Sequence, residues 1–550
     1  MFNKNKLAAA IGAVSLSFAC NFVYADATPD CNAGGGTNST ECGAAASATS
    51  DTSVAVGAAA QATAVDAVAI GDQAAASGVN SSAVGGESVA SGLAAQAFGW
   101  RANATGERSA ALGHLANAAG LRATAVGEAA NASAETSIAV GNLSAASAID
   151  AVAIGEQAAA SGINSSAVGS ESIASGLAAQ AFGWRANATG ERSAALGHLA
   201  NAAGLRATAV GEAANASAET SLAIGNLSAA SAIDAVAIGD QAAASGINSS
   251  AVGSESVASG LAAQAFGWRA NATGERSTAL GHLANAAGLR ATAVGEAANA
   301  SAETSIAIGN AAVASNTDTV AIGDQAAASG LNSTAVGGES VSSGIAGSAF
   351  GWRANATGER ATALGHLAVA SGLRSVSVGE AASASGQEAI AIGNQSIAAF
   401  DFSTAIGSGA ATTRANQIAL GTTSSTYTAA GITSAASRAT QSGNLQLVTS
   451  DGNGNLATDG GRLYSALDDL EDHYEELAEG VAMALALDSP TVAPGSTFAI
   501  SGGVGHYDNS ESVAIGASYR SSEKMLWSGG LGVGLDRGKV GARLGVSYSW

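Results

Sequence analysis

Lysine, proline and large aromatic side chains are scarce in this 550-residue chain: four lysines (Lys4, Lys6, Lys524, Lys539), three prolines and six tryptophans stand against 72 glycines. The net charge is −21, and no stretch clusters cations as a phosphate-binding face requires, so nucleic acid is excluded as a partner. Ten Phe and seven Tyr cannot fill the cores of several compact domains, so length is a poor guide to domain number and a repeat architecture is implied. Outside the N-terminus there is no apolar run long enough to cross a membrane as a helix.

Cysteine is equally rare. Lys4 and Lys6 precede an apolar stretch from Leu7 to Ala19, and Val23-Tyr24-Ala25 fits a cleavage site, which predicts a Sec signal peptide over 1–25 with Asp26 as the mature N-terminus. Ser17 and Phe18 are poor neighbours for lipidation of Cys20, and cleavage would remove that residue. Cys31 and Cys42 remain, in a Gly/Ser/Thr-rich segment (26–52) that meets an oxidising periplasm; this favours a local disulfide, with an interchain bridge or two free thiols as the alternatives. Without a CxxC pair or a histidine partner, these thiols do not form a metal site.

What is abundant is periodic. A glycine recurs every fourteenth residue from Gly57 through Gly71, Gly85, Gly99 and onward to Gly421, twenty-seven in phase. An apolar residue precedes each (Val56, Ile70, Val84, Phe98), Ala usually stands before that, and a second glycine often follows seven residues on, as at Gly78 and Gly92. Fourteen residues with two breaks accommodate two short strands and two turns, and Val54-Ala55-Val56 has the strand period of two. One such coil cannot bury its apolar edge, but stacked coils can, with ladders about 4.8 Å apart and an interior narrow enough for Ala, Gly and Ser. A longer period of 84 residues, six coils, is visible in Asp66, Asp150, Asp234 and Asp318, and in Gly-Trp-Arg-Ala-Asn-Ala-Thr-Gly-Glu-Arg beginning at Gly99, Gly183, Gly267 and Gly351. Four near-copies of one block thus build residues 53–421.

The Ala-(Val/Ile)-Gly fourteen-residue repeat resembles the head of YadA-type trimeric autotransporter adhesins. The resemblance implies a left-handed parallel β-roll, three of which associate. Residues 422–458, with a turn at Asp451-Gly452-Asn453-Gly454, resemble that family's neck-like connector. Over 459–487, Leu463, Leu467, Leu470, Tyr474, Leu477, Val481 and Ala484 alternate spacings of four and three, the seam of a short coiled coil. Its flanks carry Asp468, Asp469, Glu471, Asp472, Glu475, Glu476 and Glu479 and no lysine, which weakens an isolated coil and predicts support from the adjoining modules.

Residues 488–550 contain four alternating segments, with apolar sets Phe498/Ile500/Val504, Val513/Ile515/Ala517/Tyr519, Trp527/Leu531/Val533/Leu535 and Val540/Leu544/Val546/Tyr548/Trp550. Four strands cannot close a barrel, and an open edge in hydrocarbon leaves backbone groups unsatisfied, so closure requires more chains; three would supply twelve strands. From about Glu479 onward the chain resembles the YadA anchor. That resemblance implies a homotrimer in the bacterial outer membrane, a terminal Trp550 read by the barrel assembly machinery, and a head exported to the cell surface. Ala482, Ala484 and Ala486 suit helices threading a narrow pore.

In-register stacking places the residue after each phasing glycine in a column: Asp72, Gly86, Trp100, His114, Glu128, Asn142. Trp100/Arg101/His114, Trp184/Arg185/His198, Trp268/Arg269/His282 and Trp352/Arg353/His366 are therefore candidate adhesion patches, since exposed Trp and Arg are favoured at binding hot spots. The structural alternative is that Trp100 packs at a trimer interface or caps a wide coil. A second column, Asn103, Asn117 and Asn131, has the form of an amide ladder that stabilises stacked strands. His114 with Glu128 lacks a third ligand or a nucleophile, so neither a metal, a cofactor nor a catalytic site is expected.

These features predict a mainly β protein that acts as a multivalent surface adhesin and not as an enzyme. Its partners would be host extracellular matrix, host cell-surface molecules or other bacterial cells. The alternatives are a spacer or protective coat without a specific ligand, and a β-helical hydrolase. The fourteen-residue period counts against the hexapeptide-repeat enzymes.

Overall fold

The computed structural model describes residues 31–550; the signal peptide predicted over 1–25 lies outside the described residues. The chain divides into two compact units, one ending at Ser425 and one spanning Thr426–Trp550.

The first unit is a parallel β-solenoid. Each coil contributes a three-residue strand such as Val54–Val56 and a two-residue strand such as Gln61–Ala62. Like strands pair in register one coil apart, for example Val54↔Val68, Ala55↔Ala69 and Val56↔Ile70, so the chain forms two long parallel sheets. Coiling begins ahead of residue 53: Thr40–Cys42 already pairs with Val54–Val56, and Ser47–Ala48 with Gln61–Ala62. Cys31 and Cys42 are joined by a disulfide at this end, beside the antiparallel pairing of Asn32–Ala33 with Thr40–Cys42. At the other end the two-residue strands stop at Ile397–Ala398, whereas the three-residue strands continue to Ile418–Leu420.

Alternation along each strand decides what the core contains. Ala55, Ala60, Ala62 and Ala67 are fully buried, as are their counterparts in successive coils, with Ser replacing Ala at Ser53, Ser81 and Ser88. Among the described residues no aromatic or long aliphatic side chain enters the coils. The hydroxyls there are bound locally where they are satisfied: Ser53 Oγ donates to Ser50 O (2.6 Å) and Ser88 Oγ to Gly85 O (2.8 Å). The phasing glycines permit this tight wall. Gly57 has φ +129°, and a Cβ on it would lie 2.3 Å from Gly71 O, so both conformation and contact with the next coil require glycine.

Each turn also holds its third residue in the left-handed region, whatever its type: Ala59, Asp66, Gln73 and Asn80 have φ between 54° and 60°. For non-glycine residues this costs about 1 kcal/mol apiece. It is offset by the turn bonds, such as Ala60 N to Gly57 O (3.3 Å), and by the ladder on either side. Outward, the residue before each phasing glycine forms an unbroken apolar column; Ile70, Phe98 and Leu112 are each 40% exposed.

In the second unit, Val448–Ser450 pairs antiparallel with Leu456–Thr458 around Asp451, whose Oδ1 accepts from Asn453 N and Asn455 N (both 2.9 Å). A helix follows, Arg462–Ala486, started by Asp459, whose carboxylate accepts from the backbone N–H groups of Leu463, Gly461 and Leu447 (2.9, 2.9 and 3.0 Å). These bonds hold the Asp459 carboxyl below the usual carboxylate range. Four antiparallel strands complete the unit: Phe498–Tyr507, Ser510–Ser522, Met525–Gly534 and Val540–Tyr548. Leu535 falls in the turn after the third strand and not on its apolar face. Among the described residues no helix is long and apolar enough to cross a membrane.

Candidate functional site

Two surfaces carry the chemistry, one on each unit. On the head, the sequence-derived column is real: Leu115 N donates to Trp100 O (2.9 Å), placing residues 100 and 114 on adjacent rungs. Trp100 sits in the turn after the strand Gln96–Phe98, is 44% exposed, and lies on the outside of the coil, so it does not cap a widened interior.

The Trp100 and His114 rings stack with centroids 4.8 Å apart at 21°, and the Arg101 guanidinium lies 4.6 Å from the indole centroid. Arg101 Nε donates to Glu87 Oε2 (2.7 Å), which draws the guanidinium back across the ring. His114 Nδ1 is 3.3 Å from Glu128 Oε1, and Asn142 Nδ2 donates to Glu128 Oε2 (3.4 Å). Successive rungs thus form a pillar of Glu, Arg, Trp, His, Glu and Asn.

The same geometry recurs in the other blocks. Trp184–His198, Trp268–His282 and Trp352–His366 stack at 4.6, 4.6 and 4.8 Å, with Arg185, Arg269 and Arg353 over the indoles at 4.7, 4.5 and 4.5 Å. Arg185 and Arg269 hydrogen-bond Glu171 and Glu255, with a smaller contribution from the indole N–H groups of Trp184 and Trp268, and hold both carboxyls below the usual range. The glutamate partner of each arginine, Glu87 in the first block, is absent from the sequence-derived column because it belongs to the neighbouring left-handed position. It is found only when a second column is drawn one residue along.

On the second unit, the sheet has one apolar and one small-residue face. Rows such as Val504–Val513–Val533–Val540 and Phe498–Tyr519–Trp527–Val546 run across all four strands on the exposed face. The opposite face carries Gly503, Gly505, Gly516, Gly530, Gly532 and Gly534, and the helix packs there: a Cβ on Gly503 would meet Ala486 O at 2.0 Å, and one on Gly505 would meet Ala482 O at 1.9 Å. Ala482 and Ala486 are buried as the small-residue pattern implies; Ala484 is exposed, on the side of the helix away from the sheet. The seam residues Leu463, Leu467, Leu470, Tyr474, Leu477 and Val481 are all exposed.

Sequence reasoning missed what steadies the acidic helix. Arg537, in the turn between the third and fourth strands, bonds Asp472 (2.9 Å) and Glu475, and Lys539 bonds Glu476 (2.8 Å), whose carboxyl is held low by that lysine. Glu479 is fully buried, and its Oε1 accepts from Arg537 N (2.8 Å) and Asp536 N (3.2 Å). The signal was present as a single glutamate at the edge of an Ala/Gly-rich stretch, Ala478 to Ala486, but its partners lie more than fifty residues away.

Family models match both units. The model of the YadA-like membrane anchor domain matches residues 490–550. The model of the YadA head domain repeat matches in successive windows from 48–74 to 384–410. Among solved structures the chain is similar to the collagen-binding domain of the Yersinia adhesin YadA, at 19% identity over 51% of this chain and 85% of that one; the TM-score is 0.12, at which the likeness carries no argument. No curated protein matches the chain.

Proposed function

The chain belongs to the family of YadA-like trimeric autotransporter adhesins, with an outer-membrane anchor and an exposed head, and from that premise we propose that three copies export and display their heads as a multivalent adhesive rod. The observation that carries this reading is the second unit's open sheet, whose apolar face and two free edges need closure. Three chains supply twelve strands and bring together the exposed seam from Leu463 to Val481. The apolar column of the head finds cover in the same association. Sec export over residues 1–25 and recognition of Trp550 by the barrel assembly machinery belong to this proposal; Trp550 is 98% exposed.

Adhesion is assigned to the four exposed pillars, Trp100, Trp184, Trp268 and Trp352 with their arginines and histidines, spaced six coils or about 29 Å apart at 4.8 Å per coil. Their repetition suits weak contacts that sum by avidity to host matrix, host cells or other bacteria. A second reading, a spacer or coat, is favoured by one observation: each indole already has His on one side and Arg over its ring, leaving mainly its edge. Replacing all four tryptophans by Ala distinguishes them. The adhesive reading expects surface display to persist while adhesion falls far more than four times the loss caused by one replacement. Undiminished adhesion with normal display would make the pillars structural.

A further inference from the structure

We propose that the outer face of the two-residue-strand sheet, in each of the first three 84-residue blocks, binds an anionic oligosaccharide through a pair of stacked arginines. The inference rests on the adhesin reading and names the ligand class. In the first block this face spans three rungs, about 10 Å. Its centre is an amide ladder in which Asn103 Nδ2 donates to Asn117 Oδ1 and Asn117 Nδ2 to Asn131 Oδ1, each at 2.8 Å. A primary amide has two N–H donors and two acceptor lone pairs, so the ladder leaves at least one of each per residue, although Asn187 Oδ1 at the start of the second block's ladder is buried.

Along one edge runs the Trp100–His114 stack. Along the other, Arg108 and Arg122 occupy the same turn position on adjacent rungs, tied by Arg122 N to Glu107 O (2.7 Å), and both side chains are exposed. Two guanidiniums one rung apart repel unless a counter-charge lies between them. Within this block only Glu107 comes within ion-pair range of either, 3.9 Å from Arg108. Among the described residues Arg122, Arg206 and Arg290 form no ion pair and no side-chain hydrogen bond. A sulfate ester or carboxylate between the two forks offsets their mutual repulsion and accepts several charge-assisted bonds.

Sugar hydroxyls, which both donate and accept, match the spare amide groups beside that anionic contact. An acidic peptide adding as a strand would need a free sheet edge, and this surface is a face. The fourth block supplies an internal control. It keeps Trp352, His366, Arg360 and Arg374, but the ladder is Asn355, Val369, Ser383, and Arg374 pairs with Glu388 at 3.1 Å, whereas in earlier blocks the acid stands one residue before, at Glu135, Glu219 and Glu303, and forms no ion pair with Arg122, Arg206 or Arg290. The structure therefore assigns three sites per chain, not four.

The test uses the full-length protein in detergent, titrated with a heparin-derived octasaccharide, a hyaluronan octasaccharide and maltooctaose. The sulfated and carboxylated probes separate the two sources of charge, and the neutral one is the reference. At least one anionic probe is expected to bind ten-fold or more tighter than maltooctaose, with three sites per chain. Replacing Arg108, Arg122, Arg192, Arg206, Arg276 and Arg290 by Ala should weaken it at least ten-fold, while R360A with R374A leaves it unchanged. Circular dichroism and hydrogen exchange of the head verify folding of each variant. Failure of both anionic probes, parent-like binding by the six-arginine variant, or an equal loss in the fourth-block variant overturns the proposal. If the parent adheres to matrix-coated surfaces or sister cells while no probe binds, this inference falls and the adhesin reading stands. If anionic probes bind but displayed protein adheres to nothing, the site is supported and the adhesin reading falls.

Discussion

Arg537 in the last turn of the anchor sheet reaches Asp472 on the helix at 2.9 Å, tying an acidic helix to the strands that follow it. The same guanidinium contacts Glu475, and Lys539 takes Glu476, so two cations answer three of the helix's carboxylates. Exposed pairs individually contribute little, but removing these two cations also restores repulsion among neighbouring acids. R537A with K539A should lower the temperature at which the anchor assembly dissociates on heated gels, and added salt should narrow the difference from the parent.

Glu479 acts differently because it is buried. Loss of its bonds to Asp536 N and Arg537 N leaves backbone donors unsatisfied, at about 1–3 kcal/mol. E479A should therefore destabilise the anchor more than E479Q, which retains an acceptor oxygen; equal dissociation temperatures for the two variants would contradict this role.

The phasing glycines predict local failure. In Gly141, φ is +132° and a Cβ would lie 2.4 Å from Gly155 O. G141A costs about 1–3 kcal/mol in backbone conformation alone, and the contact adds to it. Because each coil touches only its neighbours, hydrogen exchange should accelerate within a few coils of the change and not along the whole head.

The alanine core sets a size limit of the same kind. Ala125 is fully buried in a coil with no larger inward side chain, so A125V should overpack it by about 1–3 kcal/mol, read as faster exchange in the flanking ladders. The outward neighbour Val126 should tolerate Ile without that effect.

Acid should loosen the pillars of the second and third blocks. Glu171 and Glu255 have lowered folded pKa values, so their contribution is complete above the unfolded carboxyl range, near 4.3, and is lost as pH falls through the folded value. Indole fluorescence of Trp184 and Trp268 should change in that acid window, and E171Q with E255Q should abolish the change.

The coil repeat, its register and the column Trp100–His114–Glu128 were legible in sequence because a fourteen-residue period without a slip fixes which residues are neighbours. The anchor strands were legible for a related reason: Val513, Ile515 and Tyr519 alternate with Ser512, Ala514 and Ser518. Three features were not. Left-handed turn residues such as Asp66 and Arg101 carry no residue-type signal, because the ladder imposes their conformation. Coiling before residue 53 was hidden by Glu41, which stands where later coils have alanine. The Arg537 and Glu479 contacts join residues distant in sequence and without periodicity.

Trimeric closure is the central claim, and native mass measurement of the full-length chain extracted from outer membranes tests it most directly. A single species of three chains that resists mild denaturant and separates on boiling is expected. A stable membrane-inserted monomer, or a dimer as the sole assembly, would contradict it.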